Sequence, residues 1–180
     1  MKISLAQWSL HRAIQSGALR SMDFPRVARR DFGIEAIELV NGLMKGATRE
    51  DLAELRRLAK AEGVRVLLIM VDDEGDLSHP DRRTRKKAAR SHRRWVDAAA
   101  YLGCNAVRVN TGGERTLPGS VPFLPAGSPV LRAAIARCAE SCADLADYAR
   151  TAGVSVCLEN HGGLSANVPA LLAVIDAAAR

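Results

Sequence analysis

The chain has 180 residues, of which 48% are hydrophobic and 26% charged, the make-up of a folded globular protein and not of a disordered or fibrous one. Its longest apolar run, residues 66–71, is far short of the roughly 20 residues a membrane span needs. The opening "MKISLAQWSLHRAI" is interrupted by Gln7, Trp8 and His11 before a signal-peptide core can form, so a cytoplasmic location is expected.

A strand-like run, "KISLAQW", opens the chain. Four later segments repeat one pattern, a helical stretch ending at a glycine and followed by a β-rich run: "DFGIEAIELV" at 31–40, "AEGVRVLLIMV" at 61–71, "LGCNAVRVN" at 102–110 and "AGVSVCLEN" at 152–160. Gly33, Gly63, Gly103 and Gly153 are the expected helix ends, because glycine adopts the left-handed terminating conformation without steric cost. Between the strands, residues 48–62 begin with a Thr48-x-x-Asp51 variant of the capping box and place Leu52, Leu55 and Leu58 on one side. The stretch "RRTRKKAARSHRRW" at 82–95 holds much of the net charge of +6. As a helix it aligns Ala88, Trp95, Ala99 and Leu102 on one stripe and leaves the basic residues to a solvated outer face. With aromatics at 4%, few side chains are available for nucleic-acid bases to stack on, so a nucleic-acid partner is not expected.

Residues 129–152 repeat Leu131, Ile135, Cys138, Cys142, Leu145 and Ala149 at helical spacing, and "NVPALLAVIDAAA" reads as a last helix with Pro169 in its first turn. The four cysteines lack the paired spacing of a zinc site and read as small buried hydrophobes. The resulting order, βαβαβαβαβα, predicts a parallel sheet with helical crossovers. No glycine-rich phosphate loop follows the first strand and no Walker motif is present, which disfavours a nucleotide-binding doubly wound sheet. Polar residues gather instead where the strands end: Gln7 and Trp8, Glu38 and Asn41, Asp72 and Asp73, Asn110, then Glu159, Asn160 and His161. In a (βα)₈ barrel those ends converge on the face that carries the active site.

Two loops stand out. The acidic "DDEGDLSHP" at 72–80 fails the calcium-loop pattern and reads as a solvated turn, with contact to a ligand as the alternative. The long "TGGERTLPGSVPFLPAGS" at 111–128 has the length of a lid or binding loop. Glu159 is the sharpest single candidate. A carboxylate at a strand tip can hold a divalent cation and can take a proton from a carbon beside a carbonyl. The plain alternative is that it pairs with a neighbouring cation such as Arg108.

"LENHGGLSAN" at 158–167 resembles the fifth-strand motif of the sugar phosphate isomerase/epimerase superfamily, the xylose-isomerase-like TIM barrels. Residues 72–113 and the opening "ISLAQWSLHRAI" are similar to further parts of the same barrel. The resemblance implies an α/β fold of (βα)₈ type, present here as about five βα units. It implies an enzyme acting on a sugar, sugar phosphate or inositol-related ketone through an enediolate. By the same resemblance Glu159 is the metal ligand, for Mn²⁺, Mg²⁺, Co²⁺ or Zn²⁺, and the catalytic base, and that role carries over to Glu159 alone. Trp8, Glu38, Asn110, Asn160 and His161, at or beside the strand ends, are the candidate substrate contacts. The family's other metal ligands and second acid/base sit on strands six to eight. Residues 1–180 are therefore expected to form a single such domain cut after the fifth unit, with on the order of 100 residues of a full barrel lacking. Self-association through the open edges and little turnover by this chain are the corresponding expectations. A non-catalytic remnant or binding module of the same fold is the alternative. A nuclease of the apurinic-site type is less favoured, since the resemblance would put histidines at the third and fourth tips, where this chain has Asp72 and Asn110.

Overall fold

The computed structural model describes residues 2–125 and 127–179. Strand β1 covers Leu5–Ala6, β2 Ala36–Val40, β3 Arg65–Val71, β4 Ala106–Val109 and β5 Ser155–Leu158. They pair in parallel, in the order β1-β2-β3-β4-β5. The helices are α1, His11–Gln15; α2, Phe24–Phe32; α3, Arg49–Ala61; α4, Arg82–Leu102; α5, Pro129–Thr151; and α6, Val168–Ala178. From α2 to α6 each helix packs beside the next in chain order. A doubly wound sheet requires a reversal of strand order at a switch point. None occurs among the described residues, so the layout is an arc of a (βα) barrel with its helices outside.

Local chemistry sets the element ends. Thr48 and Asp51 form the reciprocal capping box at the start of α3, with Thr48 Oγ1 accepting from the Asp51 N–H at 3.2 Å and Asp51 Oδ2 accepting from the Thr48 N–H at 2.8 Å. Asp81 caps α4 and Asn167 caps α6 through their side chains. The four expected helix-ending glycines all have positive φ, 67° at Gly33 and Gly63, 78° at Gly103 and 69° at Gly153. The stripe Ala88, Trp95, Ala99 and Leu102 is buried against β3 and β4, as the spacing predicts. Arg83, Lys86, Lys87 and Arg90 are exposed, matching a solvated face, but Arg85 is not: it is buried, held by Glu140 at 2.8 Å and by the carbonyls of His79 and Pro80. Among the described residues, no helix is long and apolar enough to cross a membrane.

Two expectations need correction. "KISLAQW" gives only a two-residue strand, because Gln7 turns inward and its Oε1 accepts the Val40 N–H at 2.9 Å, taking the place of a ladder carbonyl. Cys104, Cys138 and Cys142 are buried, and burial pushes the Cys104 thiol up to about 12, but Cys157 is exposed on the open edge strand β5.

Candidate functional site

Strand alternation sorts the sheet's residues onto two faces. Met70, Arg108 and Cys157 are side-by-side partners on β3, β4 and β5. Two residues further along each chain, on the same inner face, come Asp72, Asn110 and Glu159. Arg108 thus starts one layer below the strand tips, among uncharged neighbours, and its long side chain carries the guanidinium up to the tip layer. There its Nη1 donates to Asp72 Oδ1 at 2.6 Å and to Asn110 Oδ1 at 3.1 Å. Asn110 Nδ2 donates to the same Asp72 Oδ1 at 2.9 Å, closing a three-residue ring. On the other side, Arg108 Nε lies 3.0 Å from Glu159 Oε2 as an ion pair, but without the alignment of a hydrogen bond. The pairing of Glu159 with Arg108 therefore holds.

The remaining residues singled out by sequence fall outside this cluster. Glu38 faces the same inner surface from β2 and accepts from Ser4 Oγ at 2.6 Å. Trp8, 52% exposed at the end of β1, stacks on His11 with ring centroids 4.5 Å apart. Asn160 and His161 are exposed, and among the described residues neither side chain has a hydrogen-bond partner; only the His161 N–H is engaged, donating to Ser165 Oγ at 3.1 Å. Gln7 and Asn41, also at strand tips, are buried structural groups. Asn41 clasps the Asp72 backbone, accepting its N–H at 2.8 Å and donating to its carbonyl at 2.7 Å, which fixes where Asp72 stands.

Both loops are tied down around the cluster. In loop 72–80, Glu74 accepts from Trp95 Nε1 at 2.7 Å and from Arg94. Burial pushes the Glu74 carboxyl up, but the Trp95 and Arg94 hydrogen bonds outweigh it and leave the group below its ordinary value. Asp76 accepts from Ser78 and, across the site, from Thr116 Oγ1 at 2.8 Å. This loop is thus neither a free solvated turn nor a ready ion site. Loop 111–128 passes so close to it that a Cβ at Gly112 would sit 2.1 Å from Asp76 Oδ1. Its far end is held by Asn167 Nδ2, which donates to the carbonyls of Val121 and Leu124, both at 3.0 Å. Through Gly112, Thr116, Val121 and Leu124 this loop is tied to the loop after β3 and to the N-cap of α6.

Sequence reasoning placed Asp72 among the strand-end polar residues and named Arg108 as a possible partner of Glu159, but assigned neither a role in the site. The signal was the pattern "AVRV" at 106–109, where a lone arginine occupies an inner-facing position of an otherwise apolar strand. A cleft of 310 Å³ lined by Arg56, Lys60, Arg65 and Asn105 opens at the opposite, N-terminal end of β3 and β4, away from this chemistry.

The donor set does not by itself fit a divalent cation. Among the described residues, no three His, Cys, Asp or Glu side chains are grouped to hold an ion. The two nearest carboxylates, Asp72 and Glu159, already face a guanidinium.

A family model, the xylose isomerase-like TIM barrel, matches residues 27–180. The chain belongs to that family. Solved structures share its fold. A protein of Sinorhizobium meliloti 1021 is 25% identical over 87% of this chain and 49% of its own, with a TM-score of 0.60. D-psicose 3-epimerase with D-tagatose from Clostridium cellulolyticum H10 is 16% identical over 97% of this chain and 60% of its own, with a TM-score of 0.68. An L-ribulose 3-epimerase is 20% identical over 100% of this chain and 58% of its own, with a TM-score of 0.67. This xylose isomerase-like chain spans between 49% and 60% of the length of those three structures. No curated protein sequence matches it.

Proposed function

We propose that this chain supplies the carbohydrate-binding strand ends of a sugar isomerase or epimerase, with Glu159 as the base that removes a proton from the carbon beside the substrate carbonyl. Family membership supports the reaction class, and the cluster Asp72, Arg108, Asn110 and Glu159 at the C-terminal strand ends is the observation that carries the site. Asn110, Glu38, Asn160 and His161 offer donors and acceptors to sugar hydroxyls, and the exposed Trp8 indole offers an apolar face to a sugar ring. A catalytic Mn²⁺, Mg²⁺, Co²⁺ or Zn²⁺ at Glu159 would need ligands beyond the described cluster, so turnover by these 180 residues alone is expected to be weak or nil.

Ligand-observed NMR with ketopentoses, ketohexoses and their phosphates tests the reading. Binding should weaken about tenfold in both Glu159→Gln and Asn110→Ala, equal to about 1.4 kcal/mol. Absence of binding by every member of the panel would refute it. A second reading, a non-catalytic module of the same fold, is favoured by the Arg108–Glu159 pair; it requires Glu159→Gln to bind like the parent chain.

We propose further that the chain self-associates. β5 is an unpaired edge of the described sheet, and Val168, Leu172 and Ile175 form an exposed apolar stripe on α6. Sedimentation velocity over a dilution series should show mass rising with concentration; a monomer throughout contradicts this.

A further inference from the structure

We infer that Arg108 is the resident cation of the strand-end site. Its guanidinium fills the space between Asp72 and Glu159 that a divalent ion would need, orients Glu159, and keeps such an ion out. The inference rests on the same cluster as the proposed function but requires no sugar to be bound.

Burial sets the hierarchy within the cluster. The Arg108 side chain is 13% exposed, against 31% for Asp72 and 43% for Glu159. The desolvated charge is thus the cation, and the two carboxylates are its counter-ions. A buried charge is costly without partners, so Arg108 retains them both until something replaces it. The two contacts are unequal. Asp72 is joined by a 2.6 Å hydrogen bond, is braced by Asn110, and has its backbone clasped by Asn41. Glu159 is held only by the unaligned 3.0 Å ion pair. Glu159 is therefore the partner that can turn toward an incoming group while Arg108 stays anchored on Asp72. One cation between two carboxylates also leaves the cluster one negative charge in excess. That excess lies on the more exposed side, at Glu159.

A hard divalent ion prefers several oxygen ligands, charged ones above all. With the guanidinium gone, Asp72, Glu159 and the Asn110 carbonyl would be three such oxygens around one vacated space. Arg108 is in these terms a positioning residue, and its removal should create a cation site where the parent chain has none.

Mn²⁺ titration followed by the EPR signal of the free ion reads this directly. The parent chain should show no stoichiometric binding below about 1 mM, the weak end of protein oxygen sites. Arg108→Gln should bind one Mn²⁺ at least about tenfold more tightly than the parent. Adding Asp72→Asn should cancel that gain, and Arg108→Lys, which keeps a cation in place, should not produce it. The inference is overturned if a folded Arg108→Gln, checked by circular dichroism, binds no better than the parent chain, or if the parent chain already binds as tightly. If Arg108→Gln does not fold, Mg²⁺ titration of the parent chain decides the matter through its Arg108 Nε–H resonance. That resonance should stay in place, and a saturable shift overturns the inference. Neither arm depends on whether the chain binds ketoses.

Discussion

The two faces of the sheet are built for different surroundings, and β3 shows the contrast between adjacent residues. On the outer face Ile37, Leu39, Ile69, Val71, Val107 and Val109 are each no more than 1% exposed. On the inner face Val40, beside Met70, is 2% exposed, but Glu38, Leu68, Met70 and Arg108 are only half-buried. A parallel sheet covered equally on both sides would read as unbroken apolar runs. Here β4 reads Ala106-Val107-Arg108-Val109, apolar toward the helices and charged toward the interior. Folding free energy comes chiefly from the outer layer, which leaves the inner layer free to carry a polar cluster whose members need not pack tightly.

Truncating neighbours on one strand is the strongest way to break this comparison. Ile69→Ala removes a fully buried outer side chain and should cost about 3 kcal/mol, lowering the Tm by on the order of 10 °C for a chain of this size. Met70→Ala, one residue along and facing inward, should cost about 1 kcal/mol, because much of the space it leaves is already reached by water. Differential scanning calorimetry of the two variants measures the gap. Equal losses would mean that the inner face is packed as tightly as the outer, and the contrast would fail.

The outer layer was legible in the sequence because its rules are local. Glycines ending helices, a capping box at Thr48 and apolar spacing along α3, α4 and α5 each act over a few residues, and each holds in the fold. Much of the inner layer was not legible, because it depends on register between distant segments. Asp72 meets Arg108 and Asn110 across 36 and 38 residues, and Asp76 meets Thr116 across 40. Nothing in "DDEGDLSHP" announces that Glu74 and Asp76 accept hydrogen bonds from inside the protein. The short β1 has the same origin: Gln7 reads as a polar tip, but its partner is the backbone of Val40 on the next strand. Glu159 was visible because it is the abrupt end of an apolar run. Its pairing with Arg108 was legible too, but the unaligned geometry of that contact, and the sharing of Arg108 with Asp72, follow from the strand register.

Glu74 joins the two layers, since it starts at the inner strand ends and reaches Trp95 and Arg94 on the outer helix α4. Its carboxyl is below the ordinary value when folded: burial opposes the charged form, and the hydrogen bonds from Trp95 and Arg94 more than offset this. Near pH 4 the unfolded chain therefore binds more protons at this group than the folded chain does, so stability rises with pH through that range. The contribution is fully present above the unfolded carboxyl value of about 4.3 and is lost as pH falls through the lower folded value. Glu74→Gln removes this titration but keeps the side chain's size. Thermal melts from pH 6 to pH 3 should fall less steeply for the variant than for the parent chain, a smaller effect than either truncation on β3. An unchanged acid slope would show that the Trp95 and Arg94 contacts do not favour the ionised carboxylate in solution, and the bond between inner tip and outer helix would then be no more than a packing contact.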